Sequence, residues 1–409
     1  MQFTDYKAML NQKSVIRNMF QYAVNRGNEI GYDNVFDYSL GNPSVPVPKE
    51  FNDEIIRLLN EDSEHIHQYS PNLGIFEARE AIAESLNKRF DMNYKTEHIF
   101  MTAGATSAIA HALRVATKPG DEVITFAPFF PEYKPYVGIS GGVLKVVEPD
   151  TDSFQINFEK FEQMLTQKVS AILINSPNNP TGVIYSEDTI IKLCELLYQK
   201  QKEYGHDIFI ISDEPYREIV FENKKCPYIS KYYDNTLSCY SFSKSLSVPG
   251  ERIGYLAVNP KCTDSELIAP MCVQISRGIG HNCPSSIIQR AIIPVLDKTA
   301  DLSVYEINKN ILYNEFKNLG FDCVEPNGTF YMFPKALEND ANIFCEKAKK
   351  YDLIFVPSDS FGCGGHFRVS YCLKTEKVRR SLVNLREFVR NEYGLNASSN
   401  LVHNAVNKF

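Results

Sequence analysis

The chain has 409 residues, of which 44% are hydrophobic and 23% are charged, as in an ordinary globular protein. Its formal net charge of −7, from 43 basic and 50 acidic side chains, gives no electrostatic reason to expect a nucleic-acid or membrane partner. No apolar run approaches the ~20 residues that span a bilayer, and the first residues lack a secretory signal. The ten cysteines are scattered without metal-site spacing, which is typical of reduced thiols. We therefore expect a cytoplasmic protein that binds no metal.

Short apolar runs alternate with amphipathic stretches of helical length between about residues 98 and 260. The runs predict strands at 99–101, 123–126, 143–147, 171–174, 208–211, 237–241 and 253–258. Helices are predicted at 105–116 and 187–204. This alternation favours an α/β fold with a mostly parallel sheet that helices cover on both faces. The carboxyl ends of parallel strands then lie along one edge, where ligands usually bind.

The pattern changes after about residue 295, where longer helices alternate with shorter strands. Strands are predicted at 329–333, 353–356 and 367–370, and helices at about 303–318 and 376–392. These elements indicate a second, smaller α/β unit. We expect a large domain over 45–290 and a small domain built from 1–44 and 291–409. The last residues, Asn396 to Phe409, are predicted to form a loosely ordered tail.

One lysine, Lys244, stands among small hydroxyl residues in Ser241-Phe242-Ser243-Lys244, and Arg252 follows in Pro249-Gly250-Glu251-Arg252-Ile253-Gly254-Tyr255. A lysine that is activated by its surroundings forms an imine with a carbonyl group. An arginine fork can bind a phosphate through two hydrogen bonds. An aldehyde and a phosphate on one small molecule describe pyridoxal 5'-phosphate, so the segment predicts that cofactor. For an isolated motif, a solvated surface lysine would be a serious alternative.

This segment resembles the lysine signature of the class I/II aminotransferases, the aspartate aminotransferase-like enzymes of fold type I that use pyridoxal phosphate. Other motifs of the family follow in family order from about Leu40 to Tyr371. The resemblance implies a ping-pong transaminase that moves an amino group between an L-amino acid and a 2-oxo acid. Lys244 would hold the cofactor through an imine and would carry the proton of the substrate α-carbon.

The same resemblance implies which residues hold each part of the cofactor. Asn179 and Tyr216 would bind its phenolic oxygen. Asp213, directly after an apolar run, would keep its pyridine nitrogen protonated. The phosphate would be held at the start of the helix at 105–116, where free N–H groups suit an anion. The expected phosphate contacts are Ala105, Thr106, Ser241, Ser243 and Arg252. Taken singly, several of these residues would also fit a turn, a helix cap or an ordinary core position.

Aromatic and basic residues complete the implied site. Phe130 is expected to stack on the cofactor ring, with Phe129 and Tyr133 as alternatives. Many relatives have tryptophan or tyrosine there, and this chain has no tryptophan. Arg368, in the Arg-Val-Ser motif, would bind the substrate α-carboxylate through two parallel hydrogen bonds from its guanidinium group. Gly41 would offer a backbone N–H group to the same carboxylate.

Two further residues bear on the oligomeric state. Tyr69 resembles a family residue that reaches the phosphate of the neighbouring subunit, which implies a homodimer with shared active sites. Arg277 lies near the position at which some aspartate-specific relatives place a side-chain carboxylate clamp from the partner subunit. The sequence therefore leaves the amino donor open, with Arg277 as a hypothesis for its selection.

Two other functions are compatible with parts of this pattern. A C–S β-lyase of the cystathionine β-lyase type would use the same fold and cofactor residues, because loss of a β-leaving group also starts with removal of the α-proton. Its products, pyruvate and ammonia, distinguish it from a transaminase. A cofactor-binding transcription regulator would need a DNA-binding module, and the roughly forty residues before Gly41 show no helix-turn-helix pattern.

Overall fold

The computed structural model describes residues 14–61 and 64–395. The tail that is predicted from Asn396 to Phe409 lies outside these ranges, as do the first thirteen residues of the predicted small domain. The strands, numbered in chain order, are β1 Phe36–Asp37, β2 Ile99–Thr102, β3 Glu122–Phe126, β4 Val143–Val147, β5 Val169–Asn175, β6 Phe209–Asp213, β7 Thr236–Ser241, β8 Gly254–Val258, β9 Tyr331–Met332, β10 Leu353–Ile354, β11 Val356–Pro357 and β12 Phe367–Ser370.

The α-helices of the described ranges are likewise numbered in chain order. They are α1 Val15–Ile30, α2 Lys49–Glu61, α3 Phe76–Phe90, α4 Ala105–Ala116, α5 Tyr133–Ser140, α6 Phe158–Met164, α7 Glu187–Tyr204, α8 Phe242–Ser245, α9 Ser265–Ile279, α10 Ser286–Ala291, α11 Ser303–Asn318, α12 Ala341–Lys349 and α13 Thr375–Tyr393. Local signals set their ends, as at α7. There, Ser186 Oγ accepts a hydrogen bond from the Thr189 N–H group, and Gly205 ends the helix with a φ of +73°.

The largest sheet has seven strands in the order β2-β8-β7-β6-β5-β3-β4. Strands β7, β6, β5, β3 and β4 are parallel to one another, whereas β8 is antiparallel to both β7 and β2. The predicted mostly parallel sheet is therefore confirmed. Because β5, β6 and β7 run side by side in one direction, their last residues Asn175, Asp213 and Ser241 lie along one edge.

Both faces of this sheet are covered by helices. On β5, Ala171 and Leu173 join a hydrophobic cluster with residues of α4, α5 and α9. The alternate residues Ile172 and Ile174 join a second cluster with residues of α6 and α7. Successive side chains of a strand point to opposite faces of the sheet. Because helices cover both faces, every residue of β5 is buried, and its sequence shows no alternation of apolar and polar residues.

The second unit draws on both ends of the described chain. Strand β1 pairs in parallel with β10, and β11, β12 and β9 form an antiparallel sheet in that order. Phe36, Tyr38 and Val45 share a hydrophobic core with residues between 300 and 389. We propose on this basis that the boundaries between the large and the small domain lie near residues 45 and 290, as the sequence predicts.

Two of the predicted strands differ from the observed ones. The strand expected at 329–333 is limited to β9, and Thr329 adopts a φ of +60°, which a strand does not allow. The strand expected at 353–356 divides at Phe355, because β10 pairs with β1 whereas β11 pairs with β12. Elsewhere the expected helices and strands match the observed ones to within a few residues.

None of the described helices is long and apolar enough to cross a bilayer. The ten cysteines are free thiols, and most are buried. Across residues 14–61 and 64–395, no group of histidine, cysteine, aspartate and glutamate side chains is arranged to hold a metal ion.

Candidate active site

A cavity of about 590 Å³ opens at the carboxyl edge of the large sheet, next to the second unit. It is lined by all of the predicted cofactor- and substrate-binding residues except Tyr69. These lining residues are Gly41, Ala105, Thr106, Phe130, Asn179, Asp213, Tyr216, Ser241, Ser243, Lys244, Arg252 and Arg368. Residues separated by more than 300 positions in the sequence thus meet at one site.

Lys244 lies on the single turn of α8, directly after β7. Ser241 Oγ begins this turn by accepting a hydrogen bond from the Ser243 N–H group at 3.2 Å. The Lys244 Nζ group donates to the Gly41 carbonyl oxygen at 2.7 Å. Burial lowers the pKa of Lys244 to about 8, and the charges of Arg252 and Arg368 act in the same direction. The neutral fraction of this amine near physiological pH is therefore much larger than that of an ordinary lysine, which favours its action as a nucleophile or a proton acceptor.

Asp213 ends β6 with its carboxyl group in the cavity wall and 6% of the residue exposed. Its Oδ2 atom accepts a hydrogen bond from the Tyr133 hydroxyl group at 2.6 Å. Its Oδ1 atom is buried and has no hydrogen-bond partner in the described part of the chain. Burial raises the pKa of Asp213 to about 7. A protonated ring nitrogen would supply the missing donor and favour the ionised form.

Arg368 lies on β12 and is 1% exposed. Its Nη1 and Nη2 atoms donate to Asn179 Oδ1 at 3.0 Å and to the Ser39 carbonyl oxygen at 2.5 Å. Its guanidinium carbon lies 4.6 Å from the centre of the Tyr331 ring. The Nε atom has no partner among the described residues. A buried cation with an unused N–H group suits an anionic ligand such as a carboxylate.

The start of α4 and the side chain of Arg252 form the opposite end of the cavity. Gly104 has a φ of +87°, and a Cβ atom there would lie 2.9 Å from Arg252 Nη2 and 3.4 Å from Ser241 Oγ. Arg252 donates from Nη1 to the Pro249 carbonyl oxygen and from Nη2 to the Ala103 carbonyl oxygen, each at 2.9 Å. The first N–H groups of a helix have no partner within it, so this cradle suits a phosphate.

The three aromatic candidates for ring stacking differ in position. Phe130 lines the cavity. Phe129 is 2% exposed and packs in the core on one face of the sheet, and Tyr133 is fully buried and bonded to Asp213. Gly41, the expected carboxylate contact, lies against the Tyr331 ring, where any Cβ atom would overlap the hydroxyl group.

Several residues that line the cavity were not assigned from the sequence, among them Asn175, Tyr331, Arg17 and Tyr136. Asn175 links two strand ends, because its Nδ2 atom donates to the Asp213 carbonyl oxygen at 2.8 Å and its Oδ1 atom accepts from the Asn179 N–H group at 2.7 Å. Tyr331 meets the Tyr216 hydroxyl group at 3.2 Å. Arg17, from α1, and Tyr136, from α5, also line the cavity. Of these residues, only Asn175 carried a signal in the sequence, because it is a polar residue at the end of an apolar strand.

The residues with expected roles across a subunit interface lie away from the cavity of their own chain. The Tyr69 side chain is fully exposed. Arg277, near the end of α9, is exposed and donates from Nη1 to Gln274 Oε1 at 2.9 Å. Neither residue lines the cavity.

Comparisons with known proteins place this site in a family. The sequence model of the aminotransferases of class I and II matches residues 33–385. The chain belongs to this family. It is 30% identical over 365 residues to the aspartate aminotransferase of Thermotoga maritima. The aligned region covers 87% of this chain and 92% of that protein.

Solved structures of aminotransferases share the fold. The structure of an amino transferase from Eubacterium rectale superposes with a TM-score of 0.92 at 43% identity, covering 95% of this chain and 99% of that one. An aspartate aminotransferase structure from Thermotoga maritima gives a TM-score of 0.83 at 29% identity, covering 92% of this chain and 97% of that chain. The chain is an enzyme, a pyridoxal-phosphate-dependent aminotransferase of fold type I, so the predicted family, fold, activity and cofactor are confirmed. The comparisons favour the transaminase over the C–S β-lyase.

The residues present fit this cofactor. The unpartnered Oδ1 atom of Asp213 suits the ring nitrogen, the cradle at Gly104 and Arg252 suits the phosphate, and the Lys244 amine suits the aldehyde.

Proposed function

We propose that Lys244, Asp213 and Arg368 perform the transfer of an amino group between an L-amino acid and a 2-oxo acid. The observation that carries this proposal is their common cavity. It contains a lysine with a lowered pKa, a buried carboxylate oxygen without a partner and a buried guanidinium N–H group without a partner. The first suits covalent and proton-transfer chemistry, and the other two suit the cofactor ring and the substrate carboxylate.

Each residue has a distinct task in the proposed mechanism. Bound pyridoxal phosphate supplies an electron sink for the negative charge that develops at the substrate α-carbon. Arg368 and the Gly41 N–H group hold the α-carboxylate and so orient the Cα–H bond. The Lys244 Nζ atom would accept the α-proton and carry it during the transfer. Asp213 holds a proton on the ring nitrogen.

The remaining cofactor-binding residues hold fixed parts of the group. Asn179 and Tyr216 are proposed to bind the phenolic oxygen, and Phe130 is proposed to pack against the ring. The proposed phosphate contacts are Ala105, Thr106, Ser241, Ser243 and Arg252. This proposal is supported by their common position around the cavity.

The products of a two-substrate assay test this function directly. Purified enzyme is given one L-amino acid and one 2-oxo acid, and both product pools are quantified over time. We expect one new 2-oxo acid for each new amino acid, with ping-pong kinetics. Pyruvate and ammonia released without an acceptor would contradict the proposal and indicate the lyase.

We further propose a homodimer in which Tyr69 contacts the phosphate in the site of the other subunit. Its support is the full exposure of the Tyr69 ring outside its own cavity, together with the motif resemblance. The test mixes Lys244→Ala subunits with Tyr69→Ala subunits at a cofactor concentration too low to fill the sites of the Tyr69→Ala homodimer. A hybrid dimer with shared sites contains one site with both wild-type residues, so activity should rise above that of either variant. No gain from mixed subunits would contradict the shared site.

The donor is proposed to carry an acid in its side chain. Relatives at 30% identity are named aspartate aminotransferases in Thermotoga maritima and Bacillus subtilis, whereas a 28% relative in Thermococcus litoralis is named for aromatic amino acids. Arg17 supports the acidic choice, because it lines the cavity and makes no hydrogen bond or ion pair with residues 14–61 or 64–395. Glu132 also lines the cavity and makes no ion pair with Arg17.

A pair of matched variants tests this substrate choice. Arg17→Leu should lower kcat/KM for aspartate and glutamate by about tenfold and leave alanine unchanged, since one charged hydrogen bond is lost. Arg277→Leu serves as the comparison. If Arg277→Leu alone removes the preference, the acid is bound from the partner subunit and the assignment of Arg17 is wrong.

We also propose a cytoplasmic location, which the ten free thiols support, because cysteines stay reduced in that compartment. Cell fractionation with an antibody against the protein tests it.

A further inference from the structure

The Asp213 carboxyl group has one side-chain hydrogen bond among the described residues, and its donor is Tyr133. The Tyr133 hydroxyl group lies 2.6 Å from Oδ2, while Oδ1 is buried without a partner. The main chain at this point is held separately, since Asn175 Nδ2 donates to the Asp213 carbonyl oxygen at 2.8 Å. The direction of the carboxyl group therefore depends on Tyr133.

Tyr133 itself is firmly held. It is fully buried at the start of α5, and its ring lies 6.4 Å from that of Phe129, nearly parallel, and 5.8 Å from that of Phe130, nearly perpendicular. Burial and the charge of Asp213 raise the pKa of Tyr133 well above its ordinary value. The phenol therefore stays protonated, and the Tyr133 hydroxyl group is a permanent donor to the carboxylate.

The hydrogen bond also acts on the charge of Asp213. Burial and the charge of Glu214 raise the pKa of the Asp213 carboxyl group, and the hydrogen bond from Tyr133 lowers it. The titratable groups that interact electrostatically with this carboxyl group are Tyr133, Tyr136, Glu214, Tyr216 and Cys239. Glu214 is itself occupied, because it accepts hydrogen bonds from Ser212 and Arg217. Tyr133 is thus the group that favours the ionised form.

We propose that Tyr133 is a positioning residue for transamination, because its hydroxyl group fixes both the direction and the ionised state of the Asp213 carboxylate. In this state, Oδ1 is free to accept a hydrogen bond from the ring nitrogen of the cofactor. The inference rests on the role proposed above for Asp213. It assigns to Tyr133 a task different from the ring stacking that the sequence allowed.

The test removes the Tyr133 hydroxyl group and keeps the ring. In Tyr133→Phe holoenzyme, we expect the rate of the half-reaction with an amino donor to fall about 10- to 100-fold, as for the loss of one hydrogen bond to a charged group. The KM of the donor should change less than about twofold, because Arg368 is intact. The cofactor should dissociate more readily from the variant, and the acid limb of the pH–rate profile should move to higher pH.

The matched control is Tyr233→Phe. Tyr233 is also fully buried, and its hydroxyl group donates to the Ile208 carbonyl oxygen at 2.7 Å, away from the cavity. This variant should keep the cofactor affinity and the pH profile of the wild type. Equal changes in both variants would mean that Tyr133 acts only through general stability and would overturn the proposal.

Two further variants distinguish a failure of this inference from a failure of the Asp213 assignment. Asp213→Asn at the wild-type rate would show that the role of Asp213 is wrong. If Asp213→Asn is impaired, adding Tyr133→Phe to it should cost little more, since both changes remove one interaction. Full additivity, or a wild-type rate, cofactor affinity and pH profile in Tyr133→Phe, would overturn the inference. Replacing Tyr133 by 4-aminophenylalanine, which restores an N–H donor, should recover most of the lost rate, even where Tyr133→Phe folds poorly.

Discussion

The two walls of the active-site cavity differ in how completely a single chain builds them. The inner wall consists of the ends of β5, β6 and β7 with β12. Its side chains are held in place by hydrogen bonds within the chain, as Asp213 is by Tyr133 and Arg368 is by Asn179, while Asp213 Oδ1 and Arg368 Nε remain for a ligand. The outer wall is different, because Arg17 makes no hydrogen bond or ion pair within the described ranges, and Tyr69, which does not line the cavity of its own chain, is proposed to complete it from the other subunit. If the roles proposed above hold, the chemistry is preorganised within one chain, whereas the phosphate contact of Tyr69 and the choice of substrate by Arg17 depend on side chains that the rest of their own chain does not hold in place.

The inner wall should be most sensitive at Lys244. Lys244→Ala removes both the covalent attachment and the proton carrier, so we expect kcat to fall by about 10⁴-fold or more. A parallel absorption spectrum should show that the lysine-linked cofactor band is lost. Full activity in this variant would contradict the assignment.

The next largest effect is expected at Asp213. Asp213→Ala removes the carboxylate that keeps the ring nitrogen protonated, and kcat should fall by about 10²- to 10³-fold. The variant should retain the melting temperature of the wild type to within a few degrees in a thermal scan. A wild-type rate would mean that the ring nitrogen lies elsewhere in the cavity.

Arg368 tests the substrate side of the inner wall. Arg368→Lys keeps the charge but loses the planar fork, so KM for the amino donor should rise by about 10- to 100-fold. Steady-state kinetics with several donors should show the same increase for each, because all of them share the α-carboxylate. An increase confined to acidic donors would instead place the side-chain carboxylate at Arg368.

The outer wall should give smaller effects. Tyr69→Phe removes one hydroxyl group from the proposed phosphate contact, and the dissociation constant of the cofactor should rise by about five- to tenfold. At saturating cofactor, kcat should return to nearly the wild-type value. A loss of kcat as large as that of Asp213→Ala would show that the two walls do not differ in the way described.

The smallest effect concerns the stability of the cofactor-free protein. The pKa of Lys244 is lowered from 10.5 to about 8, so the folded chain binds fewer protons than the unfolded chain between these pH values. Its stability should therefore rise relative to Lys244→Met as the pH increases from 8 to 10. Thermal scans at pH 8 and at pH 10 should show that the melting temperature of the wild type rises by about 2–4 °C relative to that of Lys244→Met. A difference that is independent of pH would contradict the lowered pKa.

The contrast between the walls also explains how much the sequence could predict. Lys244, Asp213 and Asn179 follow apolar strands in short motifs that resemble those of the family, and parallel strands bring their ends to one edge, so their position around one cavity could be predicted. The hydrogen bond between Tyr133 and Asp213 joins residues 80 positions apart. Local patterns carry no information about it, and Tyr133 was considered only for ring stacking.

Other features depend on packing between distant parts of the chain. Arg17 reaches the cavity because α1 packs against strands of the second unit, which a helical pattern does not specify. The change of pairing partner at Phe355 likewise depends on β1 and β12. Periodicity predicted the apolar run there but not the two strands into which it divides.

The visible absorption spectrum of the purified holoenzyme tests the central claim most directly. The spectrum is recorded before and after single amino acids are added without any 2-oxo acid acceptor. We expect the band of the lysine-bound cofactor to convert to that of the pyridoxamine phosphate form, most readily with aspartate or glutamate. A band that persists while pyruvate and ammonia accumulate, or a protein that takes up no cofactor, would contradict the account.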